Sequence, residues 1–152
     1  MSHRWNATFV FAVKNETDGP RAHKCRVMIV DDKLPIREAI RELLTSYDNV
    51  DIVGEAGDGN AAVEMALSCQ PDVILMDLNM PMMNGIEAAR RIKSWWNDIT
   101  IIGLCGVQDN YTMDAFRRAG ASVTISKNAL NRLQAAIIGA CCHKAHARTP
   151  AE

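Results

Sequence analysis

The sequence predicts an α/β fold whose centre is a parallel β-sheet. Five short apolar runs of strand length alternate with amphipathic stretches in which apolar residues recur every three or four positions. The third run, Val73–Met76, has no polar alternation, which is typical of a strand that helices cover on both faces. Strands that alternate with helices in this way form βα units, and such units build parallel sheets.

The strands are predicted where the apolar runs occur, at Val27–Val30, Val50–Val53, Val73–Met76, Ile99–Leu104 and Val123–Ile125. The first helix is predicted by apolar residues spaced as one helical face, namely Ile36, Ala39, Ile40, Leu43, Leu44 and Tyr47. Pro35 suits the first turn of that helix, where its missing N–H is not needed. The same spacing predicts a last helix from Leu130, Leu133, Ile137, Ala140 and Cys141, and weaker patterns occupy Ala61–Cys69, Ile86–Trp96 and Thr112–Gly120.

Crossover connections between parallel strands are right-handed, so five βα units have few possible arrangements. The commonest is flavodoxin-like, with strand order 2-1-3-4-5 and a switch point between strands 1 and 3. We therefore expect a doubly wound (βα)5 domain at residues 25–142. Residues 1–24 have a net positive charge and are expected to form a flexible extension, although Thr8–Val13 also suits a short strand. Residues 143–152 are expected to be a C-terminal tail.

Composition excludes several classes of function. The 152 residues carry 17 Lys and Arg against 18 Asp and Glu, so the chain lacks the basic charge of a protein that binds nucleic acid chiefly through phosphates. No apolar run approaches the roughly 18 residues that cross a bilayer. Ala7–Val13 lacks a nearby signal-peptide cleavage site. The five irregularly spaced cysteines are expected to be reduced thiols of a cytoplasmic protein.

Chemically active side chains stand at the ends of four predicted strands, which is where open α/β sheets bind ligands. Asp31 and Asp32 follow strand 1, Asp77 follows strand 3, Cys105 ends strand 4 and Lys127 follows strand 5. Two carboxylates about 4 Å apart repel by roughly 4 kcal/mol at an effective dielectric of 20, so converging aspartates call for a cation. All-oxygen ligands with few carboxylates suit Mg²⁺, and a carboxylate beside Mg²⁺ and an ammonium group can attack phosphorus. The alternative is that the aspartates only cap helices.

Four segments together resemble the receiver domain of bacterial two-component response regulators, and most closely the NarL/FixJ type. They are MIVDDKLPIREAI, EAGDGNAAVEMA, PDVILMDLNMPMMNGIEAARRIK and the later GAS and SK. The resemblance implies a domain that accepts a phosphoryl group from a sensor histidine kinase or a phosphotransfer protein. It implies that Asp77 is the phosphoacceptor and that Lys127 binds the phosphoryl group. It further implies that Asp31, Asp32, Asp77 and the backbone carbonyl of Asn79 bind Mg²⁺.

Two positions depart from the family pattern. Cys105 stands where the family has Thr or Ser, and Thr124 stands where an aromatic residue normally changes rotamer on phosphorylation. A thiol is a weaker hydrogen-bond donor than a hydroxyl, and Thr cannot fill an aromatic pocket. The hypothesis is that Asp77 can be phosphorylated but that the usual switch is weak or rewired. The alternative is that Cys105 is a tolerated substitute with a small effect.

Only 25 residues follow Lys127, so a stand-alone receiver without a DNA-binding effector is expected, the alternative being that the chain is a fragment of a longer regulator. Such a protein signals through contacts with an unknown downstream protein, with a homodimer possible and no membrane partner. It is not a turnover enzyme, because it catalyses only its own aspartyl phosphorylation and dephosphorylation. The alternative function is a receiver-like adaptor that works without phosphorylation. A dehalogenase-type phosphatase is disfavoured, because Asn79 occupies the position of its acid–base aspartate.

Overall fold

The computed structural model describes residues 23–107 and 109–147, with side chains described as far as residue 142. The strands are β1 Cys25–Val30, β2 Val50–Ala56, β3 Val73–Asp77, β4 Thr100–Cys105 and β5 Val123–Ser126. The helices are α1 Leu34–Thr45, α2 Gly59–Cys69, α3 Gly85–Trp95, α4 Asn110–Arg118 and α5 Leu133–Ala147, and a 3₁₀ helix spans Lys127–Arg132. The prediction of a flexible extension falls almost entirely on residues outside the described part, and the predicted domain boundaries remain predictions.

The five strands form one parallel sheet with the order β2-β1-β3-β4-β5. This arrangement confirms the predicted doubly wound, flavodoxin-like fold. Val30, the last residue of β1, is in register with Ala56 of β2 and with Met76 of β3. The carboxyl ends of β1 and β3 are therefore neighbours, and the loops that leave them go to opposite faces of the sheet at the switch point.

The core consists of two apolar layers, one on each face of the sheet. On one face, Ile40 and Leu44 of α1 and Leu133 and Ile137 of α5 are fully buried against the strands. On the other face, α2, α3 and α4 cover the sheet, and Phe116 of α4 is the largest fully buried side chain. Because both faces are covered, all five residues of β3 are buried, as its continuous apolar sequence predicts.

The helix ends follow local sequence signals, although α1 ends at Thr45, before the predicted Tyr47, and α4 ends at Arg118, before the predicted Gly120. Asp58, Asn84 and Asp109 each accept a hydrogen bond from a main-chain N–H of the first turn of α2, α3 and α4. Pro35 lies in the first turn of α1, as predicted. The last helix was predicted to include Leu130, but this residue lies in the 3₁₀ helix, because the backbone at Ala129 is not helical.

Cys25 and Cys141 form a disulfide with Cα atoms 6.0 Å apart. The expectation of reduced thiols is therefore wrong for these two residues. They are separated by 116 positions, and only the packing of α5 on the start of β1 brings them together. None of the helices in the described part of the chain combines the length and apolar character that a bilayer-spanning helix requires.

Candidate functional site

Three carboxylates converge at the switch point of the sheet. Asp31 and Asp32 directly follow β1, and Asp77 is the last residue of β3. Each of them contributes an oxygen to a group whose members all lie within 4.8 Å of one another. Asp31 and Asp77 are buried, whereas Asp32 is half-buried. The parallel pairing of β1 with β3 thus brings together residues that lie far apart in the sequence, as the strand-end pattern predicts.

Lys127 faces this cluster from the end of β5. Its Nζ lies 2.6 Å from Oδ2 of Asp31 and 3.1 Å from Oδ1 of Asp77. The 3₁₀ helix begins at Lys127, immediately after the strand, and only 16% of the lysine side chain is exposed. The ammonium group therefore bridges two of the three carboxylates.

Main-chain N–H groups hold the carboxylates from the loop side. Lys33 N–H donates to Oδ1 of Asp31 at 2.9 Å, and Asn79 N–H donates to Oδ1 of Asp77 at 3.2 Å. The loop after Asp77 returns at Gly85, whose N–H donates to the carbonyl of Leu78. A Cβ atom at Gly85 would overlap the carbonyl oxygen of Asp77, so this close approach requires glycine.

Two ionisable groups of the site, Asp77 and Lys127, have pKa values shifted by their surroundings. Burial and the neighbouring charge of Asp31 raise the pKa of Asp77, although the ion pair with Lys127 opposes the shift. Burial lowers the pKa of Lys127, but its hydrogen bonds to Asp31 and Asp77 outweigh burial and raise the pKa overall. The single ammonium group does not compensate three carboxylates, so the site retains net negative charge.

The donor set fits a hard divalent cation. Among the described residues, Oδ1 of Asp32 and Oδ2 of Asp77 are buried and accept no hydrogen bond. A buried carboxylate oxygen without a partner is costly unless a cation or ordered water satisfies it. An all-oxygen set of two or three carboxylates is the type that Mg²⁺ uses while it keeps several waters. Asn79 is exposed two residues after Asp77, and its backbone carbonyl would complete this all-oxygen set.

The two residues that depart from the family pattern lie on adjacent strands. Cys105 ends β4, is 1% exposed, and its thiol donates to the carbonyl of Ile125 in β5 at 3.7 Å. Its side chain belongs to the apolar layer that contains Phe116. Thr124 is half-buried on β5, in register with Gly103. The Cys105 thiol is therefore hydrogen-bonded to the neighbouring strand, and Thr124 provides no aromatic ring at the position where the family usually has one.

One group of charged residues beside the site was not predicted from the sequence. Arg37 of α1 donates from Nη1 to the main-chain carbonyl of Asp31 at 2.7 Å, and its Nε lies 3.7 Å from Glu55 of β2. Arg41, one helical turn later, binds both carboxylate oxygens of Glu55, at 2.5 Å and 2.7 Å. The only sequence signal was the spacing of two arginines on the same helical face.

Comparisons with known proteins agree with this geometry. The family model described as the response regulator receiver domain matches residues 27–138. The transcriptional regulatory protein YdfI of Bacillus subtilis is 39% identical over 119 residues, which are 75% of this chain and 55% of that protein. The chain therefore spans about half the length of this curated relative.

Solved structures show the same likeness. The response regulator domain of Thermotoga maritima CheB is 29% identical with a TM-score of 0.73, covering 78% of this chain and 96% of that one. The receiver domain of the putative response regulator NarL from Mycobacterium tuberculosis is 27% identical with a TM-score of 0.71, covering 77% and 98%. Since the family model covers well over half of the sequence, the chain belongs to the response regulator receiver domain family of two-component signalling proteins.

Proposed function

We propose that this protein accepts a phosphoryl group on Asp77 from a histidine kinase or a phosphotransfer protein. The observation that carries the proposal is the convergence of Asp31, Asp32 and Asp77 on one point, with Lys127 bridging two of them. Helix caps alone would not require a largely buried lysine beside the aspartates, and they would not leave Oδ1 of Asp32 and Oδ2 of Asp77 buried without hydrogen bonds among the described residues.

In the proposed reaction, a carboxylate oxygen of Asp77 attacks the phosphorus of a phosphohistidine. The new O–P bond forms an acyl phosphate, the P–N bond breaks, and its electron pair remains on the departing imidazole. Lys127 then binds a phosphoryl oxygen, since its ammonium group already lies 3.1 Å from Asp77. Asp31 stays paired with Lys127 and keeps this ammonium group next to the reacting carboxylate.

Mg²⁺ belongs to the proposal as the cofactor, held by Asp31, Asp32, Asp77 and the backbone carbonyl of Asn79. When bound, it offsets the charge of the carboxylates and of the phosphoryl oxygens. The unpaired carboxylate oxygens described above support this assignment. The protein's own role is to hold these acidic groups together before the phosphoryl donor arrives.

Phosphorylation changes a protein's partners only if its two states make different contacts. Because Cys105 is buried and bonded to β5, and because Thr124 has no ring, we propose that the usual Thr-and-aromatic switch is weak or rewired. A structure with bound beryllofluoride would test this hypothesis. Closure of the loop after β4 onto the phosphoryl mimic through Cys105 would refute the rewiring.

The same two residues favour a second candidate function, an adaptor that binds partners without phosphorylation. Incubation with acetyl phosphate and Mg²⁺, followed by intact-mass measurement, separates the two. We expect one phosphoryl adduct on the wild type, none on Asp77→Asn, and an unchanged adduct on Asp51→Asn, whose side chain is exposed on β2. Absence of an adduct both with acetyl phosphate and with a cognate kinase would favour the adaptor.

Location and partners form the last part of the proposal. We assign the protein to the cytoplasm, where histidine kinases present their phosphoryl groups, and we expect output through protein contacts with a downstream target. A homodimer is compatible with this output, and direct DNA binding is not expected from the net charge of −1. In the cytoplasm, the disulfide between Cys25 and Cys141 would be exposed to reducing thiols.

A further inference from the structure

Arg37 occupies a position that helix electrostatics disfavour. It lies in the first turns of α1, near the positive end of the helix dipole, and the first turn carries no acidic residue. Its side chain is 18% exposed, so the guanidinium group is also largely removed from water. A charged group placed in this way needs compensating partners, and those partners indicate what it does.

The partners of Arg37 connect it to the acidic site. Its Nη1 donates to the carbonyl of Asp31, while Glu55 lies beside its Nε. With this contact, every polar group of Asp31 has a partner. Its N–H donates to Ala56, Oδ1 accepts from Lys33 N–H, and Oδ2 pairs with Lys127.

The carbonyl that Arg37 binds belongs to the peptide joining Asp31 to Asp32. A peptide unit is planar, so fixing its oxygen fixes the orientation of the N–H and Cα of the next residue. Among the described residues, no hydrogen bond reaches Oδ1 of Asp32. With no hydrogen bond on Oδ1, the position of the Asp32 carboxylate is sensitive to the orientation of its backbone, and Arg37 contacts this backbone through the preceding carbonyl.

We propose that Arg37 is a positioning residue for the divalent-cation site. Glu55 anchors the guanidinium group, Arg37 orients the Asp31–Asp32 peptide, and the peptide aims the Asp32 carboxylate at the cation. This inference rests on the proposed function, since it concerns the same Mg²⁺ site. Outer residues that orient metal ligands typically contribute 10- to 100-fold to metal affinity.

The direction in which Mg²⁺ affinity changes on substitution of Arg37 distinguishes a positioning role from a purely electrostatic one. Removal of a positively charged side chain near an acidic site should by itself strengthen Mg²⁺ binding, because the repulsion between that side chain and the metal ion is lost. Loss of positioning should weaken it. Arg41→Ala is the matched control, because it removes the same charge and also loses a contact with Glu55, whereas Arg41 makes no hydrogen bond or ion pair with Asp31 in the described part of the chain.

The experiment measures the Mg²⁺ dissociation constant by isothermal titration calorimetry on the full chain, with urea unfolding to confirm that each variant is folded. We expect Arg37→Ala to bind Mg²⁺ roughly 10- to 100-fold more weakly. Arg37→Lys should recover part of the loss, and Arg41→Ala should match the wild type or bind slightly more tightly. With acetyl phosphate, Arg37→Ala should regain the wild-type maximal rate when Mg²⁺ is saturating.

Unchanged or tighter Mg²⁺ binding by folded Arg37→Ala would overturn the proposal, and so would an equal loss in Arg41→Ala. If Arg37→Ala does not fold, Arg37→Met decides by the same criteria, because its side chain keeps much of the apolar stem but can donate no hydrogen bond to the Asp31 carbonyl. Failure of the wild type itself to bind Mg²⁺ or to form an aspartyl phosphate would instead overturn the proposed function. The two failures are therefore distinguishable.

Discussion

Replacement of Asp77 by Asn should stabilise the metal-free protein, although it removes a partner of Lys127. The carboxylates of Asp31, Asp32 and Asp77 offer oxygens within 4.8 Å of one another. At an effective dielectric of 20, each like-charge pair at that distance repels by about 3.5 kcal/mol. The attraction between Lys127 and Asp77 at 3.1 Å amounts to about 5 kcal/mol on the same scale.

The repulsions of Asp77 by Asp31 and by Asp32 together exceed the attraction between Asp77 and Lys127. Burial of the Asp77 carboxylate destabilises its charged form further. Asn has nearly the shape of Asp, and its oxygen still accepts from the N–H of Asn79 and from Lys127. We therefore expect Asp77→Asn to raise the free energy of unfolding by about 1–2 kcal/mol at neutral pH without divalent ions. Asp51→Asn, on the exposed face of β2, should change it by less than about 0.5 kcal/mol.

The pH dependence has a definite sign. The pKa of Asp77 is raised by burial and by Asp31, so the native state keeps this proton to higher pH than the unfolded chain does. As pH rises above the unfolded value of about 3.9, wild-type stability falls until the native carboxyl has ionised, and the penalty is then constant. The advantage of Asp77→Asn should therefore appear across this window and persist at neutral pH.

Urea unfolding followed by circular dichroism measures these differences, with a chelator present. In a second series without the chelator, Mg²⁺ at ten times its dissociation constant should add about 1.4 kcal/mol to the free energy of unfolding of the wild type and less to that of Asp77→Asn, so the difference in stability between them becomes smaller. A variant that is no more stable than the wild type at neutral pH without metal would refute the reasoning. That result would mean that the ion pair with Lys127 outweighs the repulsion among the carboxylates.

Three further predictions concern Lys127, the glycines and the disulfide. Lys127→Met should destabilise the metal-free protein by about 3 kcal/mol in urea unfolding. Because the pKa of Lys127 is raised, the wild type should lose this advantage progressively as pH rises from about 10.4 through the higher native pKa, and an undiminished advantage above that native pKa would contradict the ion-pair account. Gly85→Ala should cost about 3 kcal/mol and abolish the phosphoryl adduct, since its Cβ would overlap the Asp77 carbonyl. A Cβ atom at Gly139 on α5 would lie in open space, so Gly139→Ala should instead raise the free energy of unfolding by about 0.5–1 kcal/mol. Equal effects of Gly85→Ala and Gly139→Ala would exclude steric overlap as the cause of the loss at Gly85. Reduction of the disulfide between Cys25 and Cys141 should lower the free energy of unfolding by about 2–4 kcal/mol, and Cys25→Ser should show the same stability with and without reductant.

Local patterns in the sequence were sufficient to predict the sheet, its order and the residues at its carboxyl edge. Apolar runs and helical spacing arise within a few residues, and Pro35 acts within one turn, so these signals can be read from short segments. Right-handed crossovers then leave few possible strand orders, and the flavodoxin-like order is the commonest of them. Asp31, Asp32, Asp77 and Lys127 were predicted to meet because parallel strands end at a common edge, and the structure brings them together.

Apart from the meeting of strand-end residues at the carboxyl edge of the sheet, contacts between distant segments were decided only by the tertiary structure. The disulfide joins residues 116 positions apart, and no spacing rule pairs Cys25 with Cys141 rather than with another cysteine. The contact of Arg37 with the carbonyl of Asp31 depends on how α1 lies over β1 and β2, and the backbone at Ala129 breaks a helical pattern that the sequence continues. Such features depend on distances between packed elements, which short-range periodicity does not contain.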